Sequence, residues 1–277
     1  MSLLNAVSSC WALLLGVSLI MLGNGLQGTL LGVRATLEGF PTTATGLVMT
    51  SYFVGFLLGS TLVPRFVRNV GHIRVFAALA STASAAVLAH PIFVDASAWM
   101  VLRVVTGFCY AGLYVVVESW LNDAATNETR GQLLSVYMVV AGASMGLGQL
   151  LLNTASPESY VLFVLISVLV SLSLVPISLS VSRAPSFHEP STVSIKELYA
   201  TSPLGVVGAC GVGLAHGAMF GMGAVFARQI GLALDEISIF MAMALLGGLL
   251  TQWPIGWLSD TFDRRKVITG ITLVAAA

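Results

Sequence analysis

Stretches of about twenty apolar residues recur along this chain, each long enough to cross a hydrocarbon layer about 30 Å thick. They run Trp11–Val33, Thr45–Val63, Val75–His90, Trp99–Leu121, Leu133–Leu152, Tyr160–Val181, Leu204–Ala227 and Ile237–Leu258. Short polar connections separate them. The runs are continuously apolar rather than alternating, so helices are predicted and a barrel of strands is not. The expected fold class is an all-α integral membrane bundle. A ninth run opens at Val267 and the sequence stops at Ala277. Those last residues rise only about 16 Å as a helix, so the chain reads as a fragment ending inside its ninth span.

Composition agrees with that pattern. The chain is 57% hydrophobic and 9% charged, with mean hydropathy +0.94, whereas a soluble domain carries roughly a quarter charged residues. The solvent it expects is lipid. Net charge is zero and the pI about 6.9, which offers no footing for a nucleic-acid partner. Cys10, Cys109 and Cys210 lie far apart inside apolar runs, and no Cys/His spacing suggests a disulfide framework, a metal or a cofactor. The N-terminus lacks the basic region and cleavage site of a secretory signal, so the first run reads as a retained span.

Basic residues set the expected sidedness. Arg65, Arg68, Arg74, Arg130, Arg183, Lys196, Arg264, Arg265 and Lys266 fall in the even-numbered connections, against Arg34 and Arg228 in the odd ones. The positive-inside rule then puts the even connections and the N-terminus in the cytoplasm. Trp11, Trp120 and Trp257 would sit at the inner interface, and Trp99 and Tyr160 at the outer one. A multi-pass protein of the plasma (cell inner) membrane is expected, in contact with lipid and as a monomer.

One short basic motif is written twice, 192 residues apart. The clear copy is Gly256-Trp257-Leu258-Ser259-Asp260-Thr261-Phe262-Asp263-Arg264-Arg265-Lys266, and the degenerate one runs Pro64 to Arg74. With that offset Gly71 falls on Asp263, Arg74 on Lys266, Gly55 on Gly247 and Asn24 on His216. A membrane protein with a duplicated half is the pattern of a two-repeat transporter. The connection 183–202 would join a six-helix half, 1–182, to the start of a second half, 203–277, holding helices 7, 8 and part of 9. Within it, Ser194-Ile195-Lys196-Glu197 has the capping-box pattern of a short helix.

The clear copy resembles the loop signature of the major facilitator superfamily, Gly-x-x-x-Asp-x-x-Gly-Arg-Arg/Lys-Arg/Lys. Asp263 stands in place of the usual second Gly, and in the first copy Arg68 occupies the acidic position and Pro64 that of the Gly. The resemblance implies a helical bundle of two halves that move a small-molecule solute by alternating access. It implies a gating role for the loop residues Arg68, Gly71, Arg74, Gly256, Asp260, Arg264, Arg265 and Lys266, with the acid, here Asp260, meeting a helix N-terminus of the other half. It leaves H⁺ coupling open. Span five lacks the Gly-Pro dipeptide of many drug antiporters, so efflux is not favoured over uptake.

Ionisable residues at membrane depth are costly, and each is a candidate site residue. On span four, Arg103, Tyr110, Tyr114 and Glu118 recur at helical spacing on one stripe. Arg103-Val104-Val105-Thr106-Gly107 is similar to the Arg-x-x-x-Gly of proton-linked members of the family, which implies a place near the central cavity. Alternatively Arg103 snorkels to the outer interface. Glu118 is read either as a cytoplasmic-edge salt bridge to Arg130 or Arg74, or as a substrate contact. Asn24 and Gln27 on span one, Gln149 on span five and His216 on span seven are further cavity candidates, or else helix–helix hydrogen bonds. Glycines at small-xxx-small spacing, Gly55/Gly59, Gly142/Gly146 and Gly213/Gly217/Gly221, predict close helix packing. Two rival functions remain: a non-transporting sensor or binding protein on the same scaffold, and an intramembrane serine hydrolase using Ser144 of Gly142-Ala143-Ser144-Met145-Gly146 with His216, a motif that needs a strand–turn–helix setting.

Overall fold

The computed structural model describes residues 7–126, 129–179 and 194–276, with the backbone alone of Ile195, Trp253, Asp260, Ala275 and Ala276. The described chain is helical: α1 (Trp11–Leu37), α2 (Thr42–Val70), α3 (His72–Ala89), α4 (Ala96–Ala124), α5 (Arg130–Leu150) with a closing 3-10 turn (Leu151–Thr154), and α6 (Val161–Ser178), which loosens at Ser173. Then follow α7 (Ile195–Thr201), α8 (Pro203–Gln229), α9 (Leu234–Thr261) and α10 (Arg264–Ala276). Eight of these helices are long and apolar enough to cross a membrane, and they coincide with the eight predicted runs. Several begin a few residues before the apolar run does, because the polar first turn still closes its backbone bonds as helix.

Side-chain caps explain several of the starts. The Asp95 carboxylate accepts from the Ala98 amide at 3.0 Å, opening α4, and the Ser202 hydroxyl accepts from Gly205 at 3.3 Å, opening α8. The predicted cap of α7 is present, with Ser194 Oγ accepting from the Glu197 amide at 3.2 Å. Residues 183–193 of the same connection lie outside the described residues. Asp263 Oδ1 accepts from the Arg265 amide at 2.8 Å and so caps α10. The departure from the usual Gly in the loop signature therefore has a local use: a carboxylate at a helix N-terminus satisfies an orphan donor.

The sequence repeat is a structural repeat. α1 and α8 are each 27 residues long, with bounds 192 residues apart at both ends. α2 and α9 begin with the same offset, and so do α3 and α10. After α1, Glu38, Gly39 and Phe40 donate to the carbonyls of Arg34, Thr36 and Ala35; after α8, Ile230, Gly231 and Leu232 donate to those of Phe226, Arg228 and Ala227. These are the same three bonds, each shifted by 192. Both sets form a Schellman termination around a left-handed glycine.

Helices meet through glycine. A Cβ at Gly55 would fall on the Val104 carbonyl, one at Gly59 on that of Phe108, and one at Gly107 on that of Tyr52. α2 and α4 therefore touch backbone to backbone. The predicted Gly55/Gly59 face is this seam. A second seam joins α1 to α5, where Gly25 meets the Met145 carbonyl and Gly148 that of Leu22. In lipid such contacts hold helices together by van der Waals packing. Gly146 lies against Leu246 and Gly142 against Leu249, both on α9, while Gly213 and Gly217 have open space beyond them. Hydroxyls add cross-links: Ser84 Oγ of α3 lies 2.6 Å from Ser167 Oγ and 2.9 Å from Ser171 Oγ, both of α6.

Two of the expected interface tryptophans are instead core residues. Trp99 is fully buried, donating its Nε1–H to the His90 carbonyl at 3.0 Å and packing on Phe40 and His90. Trp120 is buried with its ring beside His72. Their indoles fill gaps where chain turns return to the bundle, so neither is available to a headgroup layer. Trp11, Trp257 and Tyr160 are exposed.

Candidate functional site

The α2/α4 seam sets the chemistry of the site. Because Gly107 admits the Tyr52 backbone, the Tyr52 ring is carried under Arg103, one helical turn earlier on α4. The guanidinium carbon lies 4.4 Å from the ring centroid. Tyr110 follows on the same stripe, its ring centroid 6.3 Å from that of Tyr52. Tyr114 comes next, packed on Phe56 at 5.8 Å. From α1, Asn24 donates its Nδ2–H to the Tyr114 hydroxyl at 3.1 Å, and that hydroxyl donates to Met21 Sδ at 3.3 Å. Gln27 sits one turn beyond Asn24. Arg103, Tyr110, Tyr114, Asn24 and Tyr52 thus form one polar and aromatic cluster drawn from three helices.

The cluster is buried and underbonded. Arg103 is 6% exposed, and Gln27 and Tyr110 are 0% exposed. Arg103 Nε, the Tyr110 hydroxyl and both ends of the Gln27 amide have no hydrogen-bond partner among the described residues. Among the described residues no carboxylate pairs with Arg103, whereas Arg34 pairs with Glu38 at 2.5 Å. Burying a charge costs several kcal/mol, while a cation–π contact supplies about 0.5–2 kcal/mol. Tyr52 alone cannot offset the burial of Arg103. Each unpartnered neutral group adds about 1–3 kcal/mol of cost. Uncompensated polarity of this kind is what a ligand or ordered water satisfies.

The other predicted residues are placed elsewhere. Gln149 is buried on α5 and its Oε1 accepts from the Thr29 hydroxyl of α1, so its polar end is occupied in joining two helices. His216 is exposed on α8 with its ring 5.3 Å from Phe220, and no described contact links it to Asn24. Glu118 is exposed and accepts from the Tyr137 hydroxyl at 3.1 Å. The salt bridge expected to Arg130 or Arg74 is replaced by this hydrogen bond across α4 and α5. Ser144 is buried within the continuous helix α5, not on the strand–turn–helix that a hydrolase nucleophile needs.

In the loop signature, Arg74, Arg130, Gly256, Arg264, Arg265 and Lys266 are exposed at helix ends, as is Arg68. Gly71 has φ +86 and joins α2 to α3. The side chain of Asp260 lies outside the described residues. Tyr52 and Thr29 were not among the sequence candidates. The signal for Tyr52 was its place one turn before Gly55, on the face that the glycines press against α4.

Helices of the second repeat touch the first at several points besides the Gly142 and Gly146 contacts with α9. Gly32 packs on Val225 and Ala224, Gln229 donates to the Thr42 hydroxyl at 3.1 Å, and Asn153 donates to the Ser238 hydroxyl at 2.7 Å. A cleft of about 580 Å³ lies between α5 and α9, lined by Leu134, Ser135, Met138, Gln252, Gly256 and Trp257 among others.

Comparison with known proteins accounts for this architecture. Residues 13–277 match the family model of the Major Facilitator Superfamily. The chain belongs to that superfamily. An uncharacterized MFS-type transporter, YcaD of Escherichia fergusonii, is 30% identical over 258 residues, covering 92% of this chain and 68% of the relative. Its namesake in Salmonella newport is 29% identical over the same span. Among solved structures, the nucleoside transporter NupG superposes with TM-score 0.76 at 12% identity, over 91% of this chain and 68% of that one. A bacterial homolog of the human lysosomal transporter Spinster, inward-facing and unoccupied, gives 0.75 at 14%, over 94% and 64%. At such identities the likeness shows the facilitator fold alone. The chain is a multi-pass membrane protein of a transporter family.

Proposed function

We propose that this facilitator-superfamily protein is a secondary transporter that moves a small solute by alternating access. Its first half is 1–182, the connection 183–202 follows, and the second half starts at 203. The observation that carries the reading is the meeting of the two repeats: they are joined near Gly32, Thr42 and Asn153, with a cleft between α5 and α9 toward Gly256 and Trp257. With the N-terminus cytoplasmic in the inner membrane, the packed end is the outer one, and this is a cytoplasm-open state. Two arrangements of one pair of bodies are what a ligand can bias.

The solute site in this reading is the underbonded cluster of Asn24, Gln27, Arg103, Tyr110 and Tyr114, with Tyr52 beneath the guanidinium. His216, the repeat-related counterpart of Asn24, approaches it from α8 when the halves close. Flux measured with the full-length protein in proteoliposomes, against a mixed metabolite panel and with or without a pH gradient, tests the proposal. Solute-dependent uptake is expected, and a pH gradient reports on H⁺ coupling. Saturable binding with no flux under any gradient would make the protein a sensor on a transporter scaffold.

A further inference from the structure

We infer that the solute recognised at this site is an organic monoanion, a carboxylate with an apolar or aromatic body. The inference rests on the transporter reading for its place in the molecule, and on four observations for its chemistry. First, Arg103 is buried and has no carboxylate partner among the described residues. A guanidinium is always charged and presents donors in a planar fork that fits a carboxylate with two parallel bonds.

Second, the cluster's neutral polar groups have unused hydrogen-bonding capacity that suits the same ligand. The Tyr110 hydroxyl can donate to a carboxylate oxygen, and the Gln27 amide can both donate and accept; neither has a partner among the described residues. Third, the charge available is one. Arg34 is engaged with Glu38, and the other described basic residues sit exposed at helix ends or in connections. A single buried cation balances a monoanion and leaves a dianion with an uncompensated charge at depth. Fourth, the side chains around the guanidinium are rings: the pairs Tyr110–Tyr52, Tyr52–Phe56 and Phe56–Tyr114 have centroids 6.3, 6.0 and 5.8 Å apart. They suit an apolar or aromatic body better than a polyhydroxylated one.

The test uses one molecular frame in three charge states: 3-phenylpropanoate, its primary amide and 3-phenylpropylamine. Binding of each to the full-length protein in lipid nanodiscs is measured by titration calorimetry, and flux of each in proteoliposomes. The carboxylate is expected to bind at least tenfold more tightly than the amide or the amine. Arg103→Gln is expected to abolish that preference, and Arg103→Lys, which keeps the charge but not the fork, to weaken carboxylate binding several-fold at an unchanged melting temperature. Tyr110→Phe weakens the carboxylate more than the amide. If Arg103→Gln fails to fold, the Lys and Phe variants decide. The inference is overturned if the amide or amine binds as well as the carboxylate, if none of the three binds at millimolar concentration, or if the Arg103 variants bind it like the parent. A carboxylate that binds but never crosses overturns the transport reading and leaves the anion assignment standing; flux confined to neutral or cationic solutes does the reverse.

Discussion

Gly39 and Gly231, 192 residues apart, hold the same left-handed backbone, with φ +72 and +88. Each is the residue around which a membrane-crossing helix, α1 or α8, is terminated before the next helix begins. No neighbouring atom lies within 4 Å of a Cβ at either site, so glycine is required by conformation and not by crowding. An L-residue in this region costs roughly 1–2 kcal/mol. Gly39→Ala and Gly231→Ala are each expected to destabilise by about that amount, with Asn in place of Ala costing less. Thermal unfolding of the detergent-solubilised protein checks this. Equal stability of parent and both alanine variants would remove the requirement.

The α2/α4 seam makes a sharper demand. At Gly55 and Gly107 an added methyl would overlap a backbone carbonyl of the facing helix, which no rotamer change relieves. Overpacking of this kind costs about 1–3 kcal/mol and sometimes more. Gly55→Val and Gly107→Val are expected to separate the helices and lift Tyr52 from Arg103, with loss of folded yield on size exclusion. Gly28→Ala and Gly208→Ala, where a Cβ meets nothing, serve as controls and should behave like the parent. Normal yield from the valine variants would show that the seam is not needed.

The eight spans were legible because each is a long apolar run with polar ends, and the repeat because Gly55 recurs as Gly247 and the basic loop returns at the same offset. Arg103, Tyr110, Tyr114 and Asn24 were legible as a group because an ionisable or polar residue in an apolar run stands out against its neighbours. Tyr52 and Thr29 were not, since their role depends on which helix faces which, and that is decided by backbone contacts at Gly107 and Gly25 rather than by periodicity. Trp99 misled for the same reason. An aromatic at a span end reads as an interface anchor until the turn holding His90 is seen folding over it.

Thr29 and Gln149 test whether a polar pair between helices contributes to stability. Both are buried, and the Thr29 hydroxyl donates to the Gln149 carbonyl oxygen across the α1/α5 seam. Interhelical bonds in lipid average roughly 0.6 kcal/mol with a maximum near 1.7. Thr29→Val and Gln149→Leu are each expected to destabilise, and the double variant by less than their sum. A coupling of about 0.5–1.5 kcal/mol in a double-mutant cycle on unfolding is the expected result. Strict additivity would mean that the two side chains act independently.

Sidedness follows from the distribution of Lys and Arg, and chemical labelling checks it directly. Single cysteines placed in a background lacking Cys10, Cys109 and Cys210 are expected to react with an impermeant maleimide from outside at Asp95 and Glu158. Those at Asn69 and Thr261 should stay protected until the membrane is opened. The reverse pattern would turn the protein over and make the state described above open to the outside.

The gate prediction joins the loop signature to an unsatisfied helix end. α5 opens at Arg130 with no side-chain cap and no acidic residue in its first turn, whereas α4, α7, α8 and α10 are each capped by a side chain. The Arg130 amide donates to the Thr126 carbonyl and the Leu133 amide to that of Thr129, which leaves the Gly131 and Gln132 amides without a described partner. Asp260 ends α9 on the other side of the cleft, next to Gly256 and Trp257, and closing that cleft would bring the end of α9 toward the start of α5. A carboxylate at a helix N-terminus contributes about 0.3–1 kcal/mol when exposed and up to about 2 when partly buried. That is enough to move a near-balanced equilibrium several-fold. Asp260→Asn in the full-length protein is expected to favour the cytoplasm-open state, seen as a longer spin-label distance between Gly131 and Thr261, and to slow turnover several-fold with little change in solute affinity. Asp260→Glu should restore most of the rate. Transport at the parental rate by the Asn variant, with unchanged distances, would reduce this loop to a topogenic cluster of charges.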